Sequence, residues 1–300
     1  MNGPVVTQDL YPSRKSPEPG TMERRDPVVW GKAGEGPLSA DELAFFERNG
    51  YLWMPGFIGA DEVASVKEEL DRLWRSHADD RTDEVIREPR SDEIRSIFRI
   101  HETSAVLRRL IADPRFAGRA RQILGSAVYI HQSRINYKPG FRGKEFYWHS
   151  DFETWHVEDG VPNMRMLSCA IALTENTVFN GPLMVIPESH RTYVQCVGET
   201  PDQHYKESLR AQEYGVPDDA SLRLLAERGG IETPTGPAGS VIFFDCNLMH
   251  GSNGNISPFP RSNVFVVYNS VENTPLRAFG PRELRPHFLG SRDFTPTDAY

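Results

Sequence analysis

Residues 146–159 read FYWHSDFETWHVED and place two histidines and four carboxylates in fourteen positions. Within that run, His149-Ser150-Asp151 sets an imidazole and a carboxylate two residues apart. On an extended strand, side chains at i and i+2 leave the same face, so the pair can grip one cation. A third donor stands in DCNLMHGSNG, where His250 follows the apolar run VIFFD and falls at the rim of a later strand. Two imidazoles and one carboxylate form a facial set with three open coordination positions, the arrangement of non-haem Fe(II) oxygenases. Spacing alone does not separate iron from zinc, whose catalytic sites use three protein ligands and one open position. H-x-D also arises by chance, and a histidine beside carboxylates is often a surface hydrogen-bonder. His250 and the residues below weigh against that bland alternative.

Arg261 lies eleven residues beyond His250, just before the apolar run NVFVVY. An arginine there can form a bidentate pair with a carboxylate inside a barrel, and Ser252 can add a hydroxyl. The alternative is a surface arginine in a loop with Pro258 and Pro260. Between Val128 and Tyr137, period-2 alternation sets Gln132, Arg134 and Asn136 on one face, opposite His131, Ser133, Ile135 and Tyr137. Three polar groups on one face either line a polar cavity or mark the solvent side of an edge strand. His156, Glu153, Glu158 and Asp159 are expected in a loop beside the metal, and His190, in PESHR, is expected to order a turn.

The elements that must position these residues fall into two halves. Ser39 and Glu42 have capping-box spacing ahead of Leu43, Phe45 and Phe46, and Asn49-Gly50 supplies the stop before the strand YLWM. A second helix from Asp61 to about Ser76 carries Val63, Val66, Leu70, Leu73 and Trp74 as one stripe. Two short helices, broken at Asp113-Pro114, fill Thr103 to Leu124. From Val128 the period changes to short runs separated by Gly, Pro and Asn: VYIHQSRINY, RMLSCAIAL, PLMVIP, GSVIFFD and NVFVVYNSV. Helices followed by strands predict an α+β fold, a helical layer packed on an antiparallel sandwich or barrel such as a jelly roll. Residues 1–37, rich in Pro, Gly and charge, are expected to form a flexible or draped arm, and 38–300 one domain. The polar stretch 198–230 reads as an inserted surface loop or lid with a helix at SLRLLAER.

A formal charge of −8 over 300 residues argues against a phosphate-neutralising surface, so nucleic acid is not an expected partner. No apolar run approaches the roughly 20 residues that span a bilayer, and no apolar signal core is seen near the N-terminus, so a cytoplasmic, membrane-free location is expected. Cys169, Cys196 and Cys246 are widely spaced and fit buried thiols in a reducing compartment.

The stretch FYWHSDFETWHVEDGVP, with DLYPSR in the arm, PLMVIPESHR, MHGSNGN and PRSNVFVVYNSVEN, resembles the ectoine hydroxylases, a family within the phytanoyl-CoA dioxygenase superfamily. The likeness covers essentially the whole chain. It implies a double-stranded β-helix (jelly-roll, cupin-like) core with flanking N-terminal helices, a homodimer, and Fe(II) held by His149, Asp151 and His250. It implies 2-oxoglutarate as cosubstrate, its far carboxylate on Arg261 and Ser252, with Asn136, Phe146 and Ser168 lining its site. Ectoine would meet Gln132, Thr154, Trp155, Phe244 and Phe265, although Trp155, Phe244 and Phe265 also fit ordinary core packing. The implied reaction uses O2 to convert ectoine to 5-hydroxyectoine with release of succinate and CO2; another small zwitterion, such as an amino acid, is the alternative substrate.

Overall fold

Ser39 accepts a hydrogen bond from the Glu42 amide while the Glu42 carboxylate accepts from the Ser39 amide, so the capping box opens helix α1, Ala40–Asn49. Gly50 closes it at φ 78°, where a Cβ would also lie 2.4 Å from His190 Nδ1. The computed structural model describes residues 9–88, 92–200, 205, 215–280 and 283–300. Its other helices are α2 (Ala60–Ser76), α3 (Ile100–Thr103), α4 (Ala105–Ala112), α5 (Pro114–Leu124), α6 (Asp151–Asp159) and α7 (Asp219–Gly229). As the sequence predicts, Asp113 divides α4 from α5, its carboxylate accepting from the Arg115 amide with Pro114 at the first helical position. Among the described residues no helix is long and apolar enough to cross a membrane.

The strands are β1 (Gly20–Glu23), β2 (Tyr51–Met54), β3 (Val85–Arg87), β4 (Ile94–Phe98), β5 (Val128–Lys138), β6 (Phe146–His149), β7 (Met166–Ala172), β8 (Leu183–Val185), β9 (Thr192–Gln195), β10 (Val241–Asp245), β11 (His250–Ser252) and β12 (Arg261–Ser270). Seven form an antiparallel sheet in the order β2-β10-β7-β12-β5-β4-β3, three form a second in the order β6-β11-β8, and β1 pairs with β9. From β5 onward, β9 apart, successive strands alternate between the two larger sheets. That alternation is the double-stranded β-helix expected from the resemblance.

Alternation along each strand divides the large sheet's two faces. Leu167, Cys169 and Ile171 of β7, Val241 and Phe243 of β10, and Val264 and Val266 of β12 pack with the helices. Met166, Ala170, Ile242, Phe244 and Phe265 point the other way, into a second core that holds Trp155. One residue breaks the rule. Register passes from Val267↔Gln132 to Tyr268↔Ile130, so His131 is a bulge and shares the inner side with Gln132. The expected placement of His131 beside Ser133 and Ile135 is thereby corrected: its Nε2 lies 3.1 Å from Asp159 Oδ2 and its ring 5.8 Å from that of Trp155.

Residues 9–37 make several buried contacts with the rest of the chain. Tyr11 is fully buried with its hydroxyl on Asp26, and β1 completes a ladder with β9. Arg14 reaches α6, where its guanidinium donates to both carboxylate oxygens of Glu153 at 2.9 and 2.6 Å and to Glu158 at 2.7 Å. Residues 1–8 lie outside the described residues, as do 201–204 and 206–214 of the expected lid; SLRLLAER falls in α7, as predicted. Arg14→Met leaves two buried carboxylates without their cation. The expected cost is about 3–5 kcal/mol, read as a lower urea midpoint at unchanged m-value.

Candidate active site

His250 is the cross-strand partner of His149, because β11 pairs antiparallel with β6, and the two imidazole centroids are 4.3 Å apart. His149 Nδ1 lies 2.7 Å from the Tyr147 carbonyl and His250 Nδ1 2.9 Å from the Leu248 carbonyl. A carbonyl only accepts, so each Nδ1 carries the proton and each Nε2 presents a lone pair. Asp151 arrives differently from the sequence expectation. The strand ends at His149, Ser150 caps the next helix by accepting from the Glu153 amide, and Asp151 is the first residue of α6. A strand-to-helix turn, not i, i+2 strand geometry, aims the carboxylate.

Asp151 Oδ1 is 3.7 Å from His149 Nε2 and Oδ2 is 3.8 Å from His250 Nε2, with all three donor atoms inside 4.8 Å of one another. Each carboxylate–imidazole gap is one that two metal–ligand bonds of roughly 2.1 Å can bridge. Burial, then the neighbouring His250, holds the His149 imidazole down to about 4, so it is neutral near pH 7 and able to ligate. The Ser168 hydroxyl donates to Asp151 Oδ2 at 3.2 Å and leaves Oδ1 unencumbered. The donor set fits a metal ion with three protein ligands on one side.

A cavity of about 130 Å³ lies between the two larger sheets beside these ligands. Gln132, Arg134 and Asn136 line it, which settles the strand's polar face as a cavity wall. Phe146, Thr154, Trp155, Ser252, Arg261 and Phe265 also line it. Two expected site residues stand behind the wall instead: Ser168 is bonded to Asp151, and the Phe244 ring packs 4.9 Å from that of His250.

Arg261 is buried, and desolvation alone pulls its guanidinium down to about 10. Among the described residues no carboxylate pairs with it. Arg134, also drawn down to about 10 by desolvation, stacks 4.8 Å over Phe265 and 5.6 Å over Phe98. The cavity therefore holds two cations, Arg261 buried and Arg134 half-buried, that among the described residues lack a carboxylate at ion-pair distance. Arg285 lines it too, but is engaged by Asp159 at 2.7 and 2.6 Å. Sequence pattern singles out neither Arg134 as a site cation nor Arg285, which sits in a segment without periodicity; Arg134's inward register is the signal that was there.

The remaining acidic and imidazole groups of 146–159 support the helix. Glu153 and Glu158 take Arg14, Asp159 takes Arg285, and His156 bridges Asp9 and the Val161 carbonyl. They sit on a helix rather than in the expected loop.

His190 lies in a 3-10 turn, its Nε2 donating to the Glu47 carbonyl, away from the metal donors. Burial holds it down to about 4. The unfolded chain, with an ordinary histidine near 6.5, then binds more protons than the fold between pH 6.5 and 4. Stability is complete above pH 6.5 and falls toward pH 4, by about 3 kcal/mol from this residue. Thermal unfolding at pH 7.5, 5.5 and 4.5 should show that decline, and it should be shallower in His190→Gln.

The phytanoyl-CoA dioxygenase (PhyH) profile matches residues 46–263, which include all three metal donors and Arg261. The chain is 58% identical over 289 residues to the ectoine dioxygenase of Bordetella bronchiseptica, covering 95% of this chain and 93% of that one. A crystal structure of EctD from S. alaskensis with 2-oxoglutarate and 5-hydroxyectoine superposes with a TM-score of 0.87 at 52% identity over 97% of each chain. A second, of the same protein with bound Fe, gives 0.86 over 96% of each. With the His149, Asp151 and His250 cluster set between the sheets of a double-stranded β-helix, the chain belongs to the phytanoyl-CoA dioxygenase family.

Proposed function

We propose that the protein is an Fe(II)- and 2-oxoglutarate-dependent dioxygenase that hydroxylates ectoine to 5-hydroxyectoine. One observation carries this: a two-histidine, one-carboxylate cluster shares a cavity with a buried arginine that, among the described residues, lacks a carboxylate. His149, Asp151 and His250 hold the iron. Bound iron supplies oxidative decarboxylation of 2-oxoglutarate by O2, giving succinate and CO2, coupled to oxidation of the substrate C–H bond.

The protein's own part is positioning. Arg261 takes the far carboxylate of 2-oxoglutarate with Ser252 beside it, Asn136 and Phe146 shape that end of the site, and Ser168 contributes from behind the wall through Asp151. Ectoine, a cyclic amidine with a carboxylate, lies among Gln132, Thr154, Trp155 and Phe265, with Phe244 supporting from behind His250. A desolvated delocalised cation on an indole or phenyl face gains about 1–2 kcal/mol. Arg134, already stacked on Phe265, offers the matching pole for the ectoine carboxylate. The aromatic walls keep water from the reacting centre.

The three cysteines are free and buried, which supports a cytoplasmic setting. We take 38–300 as one dioxygenase domain, 198–230 as an inserted loop or lid within it, and the active form as a homodimer, which sedimentation would test. The deciding experiment supplies Fe(II), ascorbate, O2, 2-oxoglutarate and ectoine, and follows succinate and product mass. A species about sixteen mass units heavier than ectoine, stoichiometric with succinate, is expected. Succinate without that species, or faster turnover of another zwitterion, would overturn the substrate assignment; no succinate from iron-replete protein would overturn the chemistry.

A further inference from the structure

We propose that Asn247 is a positioning residue for the metal ligands: its carboxamide ties Ser150, the residue between His149 and Asp151, to the turn that delivers His250. This deepens the iron assignment above and rests on it.

Pairing of β6 with β11 sets His149 against His250, but Asp151 lies beyond the end of that ladder, at the start of α6. Something else must hold the backbone that carries the carboxylate. Ser150 is buried; its Oγ accepts from the Glu153 amide at 3.4 Å and gives its single proton to Asn247 Oδ1 at 3.0 Å. A second tie runs alongside. The Phe152 amide, in the first turn of α6 and so without a helical acceptor, donates to the Cys246 carbonyl at 2.8 Å.

The far side of the carboxamide decides which atom meets Ser150. Asn247 is buried, and its Nδ2 donates to the His190 carbonyl at 2.9 Å and the Thr192 carbonyl at 3.1 Å. Carbonyls only accept, so the nitrogen belongs there and the oxygen faces the Ser150 hydroxyl; the reversed amide would lose all three bonds. An aspartate would still accept from Ser150 but would set a carboxylate against two carbonyls.

The turn is itself anchored. Asp245 Oδ1 accepts from the Asn247 amide at 2.8 Å and from Arg24 Nη1 of the N-terminal arm at 2.7 Å. Leu248, in the same turn, supplies the carbonyl that orients His250 Nδ1. Asn247 therefore stands between the peptide that carries Asp151 and the turn that aims His250. It does not line the cavity, so it acts through the ligands rather than on substrate or cosubstrate. Its loss should loosen the carboxylate relative to the two imidazoles.

The test measures Fe(II) affinity of the anaerobic full chain by competition with a chromophoric chelator, then 2-oxoglutarate affinity at saturating Fe(II), for the parent, N247A, S150G and the double variant. N247A leaves the Ser150 cap in place, and glycine is nearly as good an N-cap as serine, so neither change acts through loss of the cap. Each single variant should bind Fe(II) about tenfold more weakly, the low end of what lost support of a metal ligand costs. The double should be no more than about twofold weaker than either single, because both break one link. Binding of 2-oxoglutarate to the iron-saturated variants should stay within about twofold of the parent. A lower melting temperature with parental Fe(II) affinity would make Asn247 a merely structural residue and overturn the proposal, as would additive losses in the double variant. Should N247A not fold, S150G decides alone: a tenfold loss upholds the proposal and parental Fe(II) binding overturns it. A parent chain that binds no Fe(II) would overturn the metal assignment itself, a result distinct from parental binding in the variants.

Discussion

Asp151→Ala is expected to fold, to lose its iron and to keep less than about 1% of parental turnover. Loss of groups that merely support metal ligands costs roughly 10–100-fold, so loss of a ligand should exceed the upper end of that range. The fold has little reason to suffer. Asp151 is the first residue of α6, where alanine is an excellent helix former and the Ser150 cap is untouched. What disappears structurally is an acidic side chain at a helix N-terminus and its contact with Ser168, together about 1 kcal/mol. Circular dichroism and thermal unfolding should therefore match the parent while metal analysis and succinate release collapse. An iron-replete Asp151→Ala protein with a tenth of parental activity would remove the carboxylate from the ligand set.

Arg261→Met should separate binding from stability in opposite directions. The guanidinium is buried without a carboxylate, and a buried cation is unfavourable until an anion joins it. Replacing it with a flexible apolar side chain should leave the melting temperature of the ligand-free protein unchanged or a few degrees higher. The same change removes a charge-assisted, two-pronged contact worth about 3 kcal/mol, so KM for 2-oxoglutarate should rise about a hundredfold. Saturation kinetics and a thermal melt decide the matter together. A lower melting temperature with an unchanged KM would make Arg261 a structural residue.

Much of this architecture is legible in the linear chain where one local rule governs. The Ser39/Glu42 cap, the Asp113-Pro114 break and the short apolar runs that become β7, β10 and β12 each follow from short-range pattern, and the structure keeps all of them. Residue type points to His149, Asp151, His250 and Arg261, which the structure brings to one cavity, although a helix start rather than strand spacing aims Asp151. It is least legible where tertiary context overrides a local rule. The His131 bulge shifts one residue of β5 across the sheet, which no period-2 pattern foretells. Helix α6 is hidden because its buried acids look like loop composition until Arg14 and Arg285 arrive from either end of the chain. Asn247 is hidden for a similar reason: only the fold brings its carboxamide to Ser150, 97 positions away.

The alternation of strands between the sheets also constrains how the protein comes to be. His149 and His250 are about a hundred positions apart in sequence, and they meet only when β11 has laid itself along β6. The intervening chain places β7 and β10 in the opposite sheet, so the loop-closure entropy of this non-local pairing has to be met for the donor set to exist. Forms in which β6 and β11 are unpaired therefore offer iron no three-donor site. Metal affinity consequently favours the finished topology, and bound iron acts as a brake on unfolding.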